Sequence, residues 1–378
     1  MRNNVSLQAL VRIALALLVF AAGTAKAPAI PIFAQRYHFR CGVCHSVLPE
    51  LNSFGISFRE HGYQLPIPRH GTTYVALRYQ NEYEETPPSG GQRFQGGGVV
   101  LGNADIGRIV AFVHYNLGAA GGPSAVYLSY LATYNPHTKT LWRGGLFELP
   151  LLQSPGQRLD DLQQYGYYGA HVGLNTLALS APRWGLQMER QVGNAHVGLV
   201  FDLGEYQGSA YGGAPIPTGV SSYAESPEYG LFIRQDVLPN VQIGGQFMTG
   251  NRHIVPLSND AFNDPYNREG IFAHARFNDR YDIQAEQWWG HDNNSDGVGT
   301  IVGSSGGYVR FKFYPTPHSY FGVRYDTYAT PLITQDVVYY AAVQVFFARF
   351  LLQEVHTVGQ PSHLGGALTV GFPPYVKL

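Results

Sequence analysis

The sequence predicts a transmembrane antiparallel β-barrel of about 16 strands, preceded by a small α-helical segment. Only 13% of the 378 residues are charged, against about 25% in ordinary soluble domains. The mean hydropathy is nevertheless −0.12, and beyond the N-terminus no apolar run is long enough for a spanning helix. From Thr72 onward apolar and polar residues alternate with period two, which is typical of strands that face lipid on one side and a polar lumen on the other.

The first 27 residues have the layout of a secretory signal peptide. "MRNNVSLQALVR" carries two arginines and no acidic residue, "IALALLVFAAG" is apolar, and "TAKA" supplies small residues before a cleavage site. A retained membrane anchor is the alternative, but the apolar run is shorter than the roughly 20 residues that a spanning helix needs. We expect cleavage after Ala27, export, and insertion into the outer membrane of a Gram-negative-type bacterium.

Residues 28–70 differ from the rest of the chain and form a separate predicted segment. The stretch "VLPELNSFGISFREHGY" has apolar residues at helical spacings of three and four, and Gly62 is placed to end the helix. Gly55 disfavours the helix locally. The apolar residues on the predicted face are Leu48, Leu51, Phe54 and Phe58.

Residues 71–378 form the predicted barrel, with 16 candidate strands. The first candidate is "TYVALRYQNEYEE" and the second "IVAFVHYN"; the fifth is "HVGLNTLALS", residues 171–180, and the last "LGGALTVGF". In the first candidate, one predicted face carries Val75, Leu77 and Tyr79, and the other Arg78, Gln80 and Glu82.

The connections between the candidate strands alternate between long and short after the seventh strand. Outer-membrane barrels have short turns on the periplasmic side and long loops outside, so this alternation supports a barrel over a soluble β-sandwich, which is the alternative fold. The segment "LLQSPGQRLDDLQQYG" is an exception, because it is long where the pattern requires a short turn.

The chain contains two cysteines, and both lie in the pattern Cys41-Gly42-Val43-Cys44-His45. C-x-x-C-H is the attachment pattern of c-type haem. Two thiols bind the two vinyl groups, and the adjacent imidazole becomes the proximal ligand of the iron. Two alternatives explain the motif less well. A redox disulfide would give His45 no role, and a zinc site would need a second pair of cysteines, which the chain does not contain. The motif therefore predicts one covalently bound haem c.

A segment of about 40 residues is too small to bury a haem alone. The linker "PIPRHG" joins it directly to the first strand, and the lumen of a large barrel accepts internal plugs. The hydrocarbon band that the barrel crosses is about 25 Å tall, so a single haem serves both sides of the membrane only from within the lumen. We therefore expect residues 28–70 to plug the lumen as a small c-type cytochrome segment.

The stretch "IFAQRYHFRCGVCHSVLPELNSFGISFREHGYQLP" resembles the N-terminal segment of the fused monohaem cytochrome-porins of bacterial outer membranes, typified by those that oxidise extracellular Fe(II). The remaining 300 or so residues resemble that family only in architecture. The resemblance implies that Cys41 and Cys44 bind the haem and that His45 ligates its iron. It also implies electron flow from an outside donor to a periplasmic acceptor, such as a c-type cytochrome.

The sequence leaves the sixth ligand of the iron open. A thioether or a second imidazole are both chemically suitable. The candidates are His38, His61, Met188 and Met248.

Acidic residues of the predicted long loops 204–227, 251–268 and 292–304 are candidate resting places for a hard cation such as Fe(II), with ordinary hydrated loop residues as the alternative. "HDNNSDG" matches the first positions of a calcium loop but lacks the bidentate Glu, since its twelfth position is Gly303. A polar loop tip explains it better. The loop acids concerned are Glu205, Asp260, Asp264, Asp292 and Asp296.

Three functions remain open from the sequence. The first is an electron-transfer cytochrome-porin that oxidises Fe(II), with its catalytic residues unassigned. The second is the same scaffold serving another donor or outward electron flow, and the third is a diffusion porin with a structural haem. The net charge of −1 argues against a nucleic-acid partner, and the expected partners are outer-membrane lipid, the donor and the periplasmic acceptor.

Overall fold

The period-two alternation forms one antiparallel sheet in the structure, a computed structural model. It describes residues 33, 36–37, 39, 43–44, 51–65, 73–86, 91–119, 125–153, 162, 165–205, 220–257, 260–329, 333–345 and 348–372. The elements are α1 (Ser53–Glu60), β1 (Thr73–Thr86), β2 (Gly91–Ile106), β3 (Ile109–Ala119), β4 (Ala125–Asn135), β5 (Thr140–Phe147), α2 (Gly166–Gly169), β6 (Arg183–Val192), β7 (Ala195–Glu205), β8 (Val220–Ala224), β9 (Glu228–Leu238), β10 (Val241–Pro256), β11 (Phe262–Phe277), β12 (Tyr281–Asp292), β13 (Val302–Thr316), β14 (Ser319–Ala329), β15 (Ile333–Val345), β16 (Ala348–Thr357) and β17 (His363–Phe372).

The sheet closes on itself, because β1 pairs with β2 on one side and with β17 on the other. β8 and β9 both pair with β10 and lie end to end along it, with Ala224 opposite Arg252 and Tyr229 opposite Thr249. They therefore share one position in the wall. The described wall has 16 strand positions, as the sequence predicted.

Two of the sequence assignments are nevertheless wrong, and they cancel in the count. β2 was missed because Gly96, Gly97 and Gly98 interrupt its alternation; Gly98 lies against the large side chain of Leu117. The predicted strand 171–180 is not part of the wall: apart from an isolated bridge between Val172 and Asn175 it forms turns. Its apolar residues are buried inside the barrel, and this burial produces the strand-like pattern.

The two faces of the wall differ in chemistry. Apolar side chains point outward and are exposed, whereas charged side chains point inward and are buried. Exposed apolar and buried charged residues are the reverse of a soluble sandwich, and they suit a lipid exterior with a polar lumen. Examples outside are Leu77, Leu131, Trp142, Ile271 and Val309, and inside Arg183, Arg252, Arg310, Lys312 and Arg324. No helix among the described residues is long and apolar enough to cross a membrane.

The two rims of the barrel are also different. One rim has short turns, such as Gly107–Arg108 between β2 and β3 and Gly193–Asn194 between β6 and β7. The opposite rim has the long connections, including residues 148–182 between β5 and β6 and residues 206–219 between β7 and β8. The prediction of one loop over 204–227 is wrong at β8, which pairs with β10 inside that range. β1 begins and β17 ends at the short-turn rim, so the N-terminal segment approaches the barrel from that side.

The predicted N-terminal helix exists as α1, although it begins at Ser53 rather than near Leu48. Asn52 caps it, since its side-chain oxygen accepts a hydrogen bond from the backbone N–H of Gly55. Gly62 ends it in the left-handed conformation, with φ +60°. The backbone N–H of Tyr63 donates to the carbonyl of Phe58, which completes the glycine-dependent C-terminal motif that the sequence predicted.

Candidate functional site

The described residues before β1 lie inside the barrel at the short-turn rim. The ring of Phe33 stacks on that of Tyr63 with centroids 4.4 Å apart, and Tyr63 packs on Phe112 of β3 at 6.2 Å. Arg36 is fully buried and donates to the Asn103 side chain at 2.9 Å. It also pairs with Asp105, which lies two residues before the β2–β3 turn. These contacts fix the segment against the inner wall of β2 and β3.

Two further contacts reach other parts of the wall. The imidazole of His61 lies 4.5 Å from the ring of Tyr134 on β4. Across the lumen, Nη1 of Arg276 on β11 donates to the carbonyl of Leu51 at 3.2 Å. Arg276 is one residue from the end of β11 at the short-turn rim, so described residues of the segment contact β2, β4 and β11 near that rim.

Val43 and Cys44 are the described members of the C-x-x-C-H motif, and Cys44 lies beside α1. Its carbonyl accepts a hydrogen bond from the backbone N–H of Asn52 at 3.0 Å. Burial raises the pKa of the Cys44 thiol. Cys41, His45 and His38 lie outside the described residues, as do residues 1–27, so these predictions are not tested by the structure.

Apolar residues near Cys44 are partly exposed. Val43 and Phe54 are 37% and 39% exposed although the segment lies inside the barrel. Phe54 extends a chain of aromatic rings, with centroids 5.8 Å from Phe39 and 6.2 Å from Phe58. An uncovered apolar surface beside a cysteine is suited to a large apolar ring bound through that cysteine.

The structure separates the described candidates for the sixth ligand. Met188 lies on the outer face of β6 between apolar residues such as Trp142 and Leu186, and so faces lipid. Met248 is fully buried inside the lumen and lies opposite Arg268 in the register between β10 and β11. Arg268 lies eight residues from Arg276, about 26 Å along the strand at about 3.3 Å per residue, so Met248 is far from the segment that carries Cys44. His61 belongs to that segment.

The described residues 165–182 of the connection between β5 and β6 lie inside the lumen. This placement explains the long segment that disagreed with the loop alternation. The hydroxyl of Tyr168 in α2 donates to the carboxylate of Glu286 on β12. Nη1 of Arg310 on β13 donates to the hydroxyl of Tyr165 at 3.1 Å. Burial raises the pKa of Tyr168 well above its ordinary value, and the charge of Glu286 adds to the effect. The phenol therefore stays a neutral donor.

Asn175 fastens the same connection to β11 and β12, closer to the long-loop rim. Its side-chain nitrogen donates to Asp264 at 2.8 Å and to Asp292 at 2.9 Å. Its side-chain oxygen accepts from the backbone N–H of Leu177 at 2.9 Å. The Asn175 side chain is fully buried, and its nitrogen holds the connection against the inner wall.

Two clusters of charge surround this attachment near the long-loop rim. In cluster A, Arg183 and Arg252 bind three carboxylates. In cluster B, Arg268 binds Asp292 at 2.9 Å, and Asp264 lies beside them through Asn175. Each cluster has one more carboxylate than guanidinium group. The carboxylates of cluster A are Asp202, Glu205 and Glu228.

These clusters correct the prediction that Glu205, Asp264 and Asp292 are loop residues. β10 extends to Pro256 and β11 begins at Phe262, so the wall rises higher than the sequence indicated. Asp264 and Asp292 are fully buried in the lumen. Asp260 is exposed.

The remaining predicted loop acid, Asp296, binds its own loop. Its carboxylate accepts from the backbone N–H of Val298 at 3.0 Å and of Thr300 at 3.3 Å. A hydrogen bond from the Thr300 side chain, together with these backbone hydrogen bonds, lowers the pKa of Asp296. The same hydrogen bonds support a polar loop tip over a calcium loop, since they occupy the Asp296 carboxylate. Among the described residues there is no group of three His, Cys, Asp or Glu that could hold a metal ion.

A cavity of about 140 Å³ separates α1 from the inward connection. Leu51, Ile56 and Arg59 line it on one side and Leu151 on another. His274 on β11 contributes to its wall, with its imidazole 2.8 Å from the carboxylate of Asp282. The lumen thus contains, from the short-turn rim upward, the segment with Cys44, a cavity, the connection 148–182, and the two clusters.

Sequence reasoning missed the inward connection and the clustered lumen charges. The connection 148–182 contains "LDDLQQYGYYG", where consecutive aromatic residues follow a polar stretch, and its excessive length was the available signal. The pairing of Arg183 with Glu228, or of Asn175 with Asp264, joins distant parts of the chain and leaves no local pattern.

The closed wall, its apolar exterior and its charged lumen define an outer-membrane porin-like β-barrel. The structure is similar to the outer membrane channel DcaP of Acinetobacter baumannii, with a TM-score of 0.56 and 11% identity over 79% of this chain and 96% of that one. It is also similar to an anion-selective porin from Comamonas acidovorans, with a TM-score of 0.54 and 11% identity over 79% and 100% of the two chains. The structure is similar as well to OmpT of Vibrio cholerae in its trimer form, with a TM-score of 0.52 and 8% identity over 79% of this chain and 98% of that one.

At these identities the similarity establishes the fold. No protein-family model matches the sequence, and none of the curated proteins matches it.

Proposed function

We propose that this porin-like barrel is an outer-membrane electron-transfer protein with one haem c, which passes electrons from extracellular Fe(II) to a periplasmic acceptor. The observation that carries the proposal is the C-x-x-C-H motif at Cys41–His45, in a segment whose described residues pack inside the lumen. The haem would supply one-electron redox chemistry. Cys41, Cys44 and His45 would hold it, and α1 with its neighbouring segment would act as the plug.

The Cys44 segment lies near one rim of the barrel, so the electron donor and the electron acceptor would approach from different rims. The contacts of its segment with β2, β3 and β11 lie near the short turns, which face the periplasm in outer-membrane barrels. A periplasmic acceptor therefore has a short path to the plug. An extracellular donor must instead enter from the long-loop rim and move into the lumen.

The lumen near the long-loop rim favours a cationic donor. Clusters A and B each carry one more carboxylate than guanidinium group, and a local excess of one charge sign attracts the opposite ion. Carboxylates are also suitable ligands for a hard divalent cation. This charge distribution supports Fe(II) over an anionic donor.

Replacement of the proximal ligand tests the function directly. Wild type should carry one haem per chain by mass spectrometry and by the pyridine haemochrome assay. His45→Ala should abolish haem reduction by added Fe(II) and leave the barrel folded, because pairing between neighbouring strands holds the described wall together. His137→Ala, in the exposed β4–β5 turn, is the matched control.

Liposomes with an acceptor sealed inside complete the test. External Fe(II) should reduce the acceptor through wild type and through His137→Ala, but not through His45→Ala. Electron passage through His45→Ala at the wild-type rate, or an unmodified apo mass for the wild-type protein, would contradict the proposal.

A diffusion porin with a structural haem is the second candidate, and the similarity of the fold to solute channels favours it. Planar-bilayer conductance separates the two functions. A large, steady ion conductance without Fe(II)-dependent haem reduction would support the porin, whereas low conductance with haem reduction would support the electron-transfer protein.

A further inference from the structure

Arg276 is the residue of the barrel wall that contacts the segment of Cys44 from the far side of the lumen. Its Nη1 donates to the carbonyl of Leu51 at 3.2 Å, and its guanidinium carbon lies 5.4 Å from the ring centroid of Tyr314. The side chain is only 10% exposed. Both contacts fix the plane of the guanidinium group inside the short-turn rim.

The other donors of this guanidinium are not used by the described residues. Nη2 and Nε are buried and have no hydrogen-bond acceptor among them. One carboxylate is near, since Asp279 lies 3.5 Å from Nε. That carboxylate is 86% exposed, so water screens its attraction. A buried charged donor without an acceptor is unfavourable, which indicates that Arg276 is placed for an anion.

The surroundings of Arg276 connect it to the proposed haem site. Leu51 precedes Asn52, whose backbone N–H binds the carbonyl of Cys44. The cavity of about 140 Å³ is lined by Leu51 and by His274, which lies two residues from Arg276 on the same face of β11. The guanidinium therefore contacts the segment that carries the cysteine, next to the residue pair that joins Asn52 to Cys44.

We propose that Arg276 binds a carboxylate of the covalently held haem, that is, one of its propionates, and thereby positions the haem and sets its reduction potential. The inference rests on the proposed function. A guanidinium group matches a carboxylate with two parallel hydrogen bonds, and its planar fork is not replaced by the point charge of lysine. The positive charge also disfavours the additional positive charge of the ferric state, and hydrogen bonding around a haem is one determinant of its potential.

Three variants of the full chain, purified in detergent after maturation, test the role of Arg276. Arg276→Gln should lower the midpoint potential of the haem, because an uncompensated propionate stabilises the ferric state. Arg276→Lys keeps the charge but loses the fork, so it should lower the potential by a smaller amount. Arg280→Gln removes an exposed arginine from the adjacent turn and should leave the potential unchanged.

The potential is the decisive readout, since a purely structural contact with Leu51 would change haem loading or stability and leave the potential of loaded protein unaltered. Haem-loaded Arg276→Gln with the wild-type potential would overturn the inference. If Arg276→Gln yields no haem-loaded protein, the midpoint potential of Arg276→Lys is the test. A wild-type potential in haem-loaded Arg276→Lys would then overturn the inference. Wild type without haem would instead refute the proposed function, which keeps the two failures distinct.

Discussion

Gly55 is the residue on which the backbone geometry around Cys44 depends. Its position in α1 is unfavourable for helix formation, and from the sequence alone it weakened the prediction of a helix. The structure gives the reason, because a Cβ at this position would collide with the carbonyl oxygen of Cys44. The glycine lets the chain that carries the C-x-x-C-H motif approach the helix directly.

Gly55→Ala tests this close contact, because the substitution should be unfavourable here although it is favourable in an open helix. In an open helix this substitution would stabilise the protein by about 0.5–1 kcal/mol. Here the chain around Cys44 must move, so we expect a smaller fraction of the protein to carry covalent haem, as measured by mass spectrometry. Gly303→Ala is the control, since nothing lies within 4 Å of the added Cβ. Equal haem loading in the two variants would argue against the close packing described.

The connection 148–182 is the element that decides the shape of the lumen. It leaves the long-loop rim, turns inward and binds several strands, through Tyr168 to Glu286 and through Asn175 to Asp264 and Asp292. A backbone inside a barrel needs such partners, because its polar groups have limited access to water.

Asn175→Ala should release this element. The substitution removes two hydrogen bonds to buried carboxylates, and each unsatisfied group costs about 1–3 kcal/mol. We expect limited proteolysis to cleave within residues 148–182 at a lower protease concentration than in wild type, while the barrel keeps its electrophoretic mobility in unheated samples. Asn240→Ala, in the exposed β9–β10 turn, should behave as wild type. The same cleavage pattern in both variants would show that Asn175 does not hold the connection.

The whole molecule is polarised between its two rims. The cysteine-bearing segment contacts the short-turn rim, and the acid-rich clusters A and B lie near the long-loop rim. Donor and acceptor would thus meet different ends of one lumen. This arrangement requires the long loops to face outward, as they do in outer-membrane barrels.

Cysteine labelling on intact cells tests that orientation. Val298 lies in the β12–β13 loop and is 81% exposed, whereas Asn194 is exposed in the β6–β7 turn. An impermeant maleimide should label Val298→Cys on intact cells, and should label Asn194→Cys only after the outer membrane is opened. Wild type gives the background of Cys41 and Cys44. Labelling of Asn194→Cys from outside would reverse the assignment of the rims.

The sequence by itself determined the closed antiparallel barrel, the short-turn and long-loop rims, α1 with its Gly62 terminus, and the haem-attachment motif. Each of these follows from neighbouring residues: a period of two in the strands, a spacing of three and four in α1, and five consecutive residues at Cys41–His45. Local patterns are readable without knowing which distant residues meet.

Only the tertiary structure decided which alternating stretches enter the wall and how the lumen is filled. The sequence assigned a strand to residues 171–180 and none to β2. Alternation reports burial on one side of a chain, and residues 171–180, packed inside the lumen, are buried in the same way as a strand. The bonds of Asn175 to Asp264 and Asp292, and of Arg276 to Leu51, join residues 89, 117 and 225 positions apart. Such contacts arise from closure of the barrel, so no short stretch of sequence encodes them.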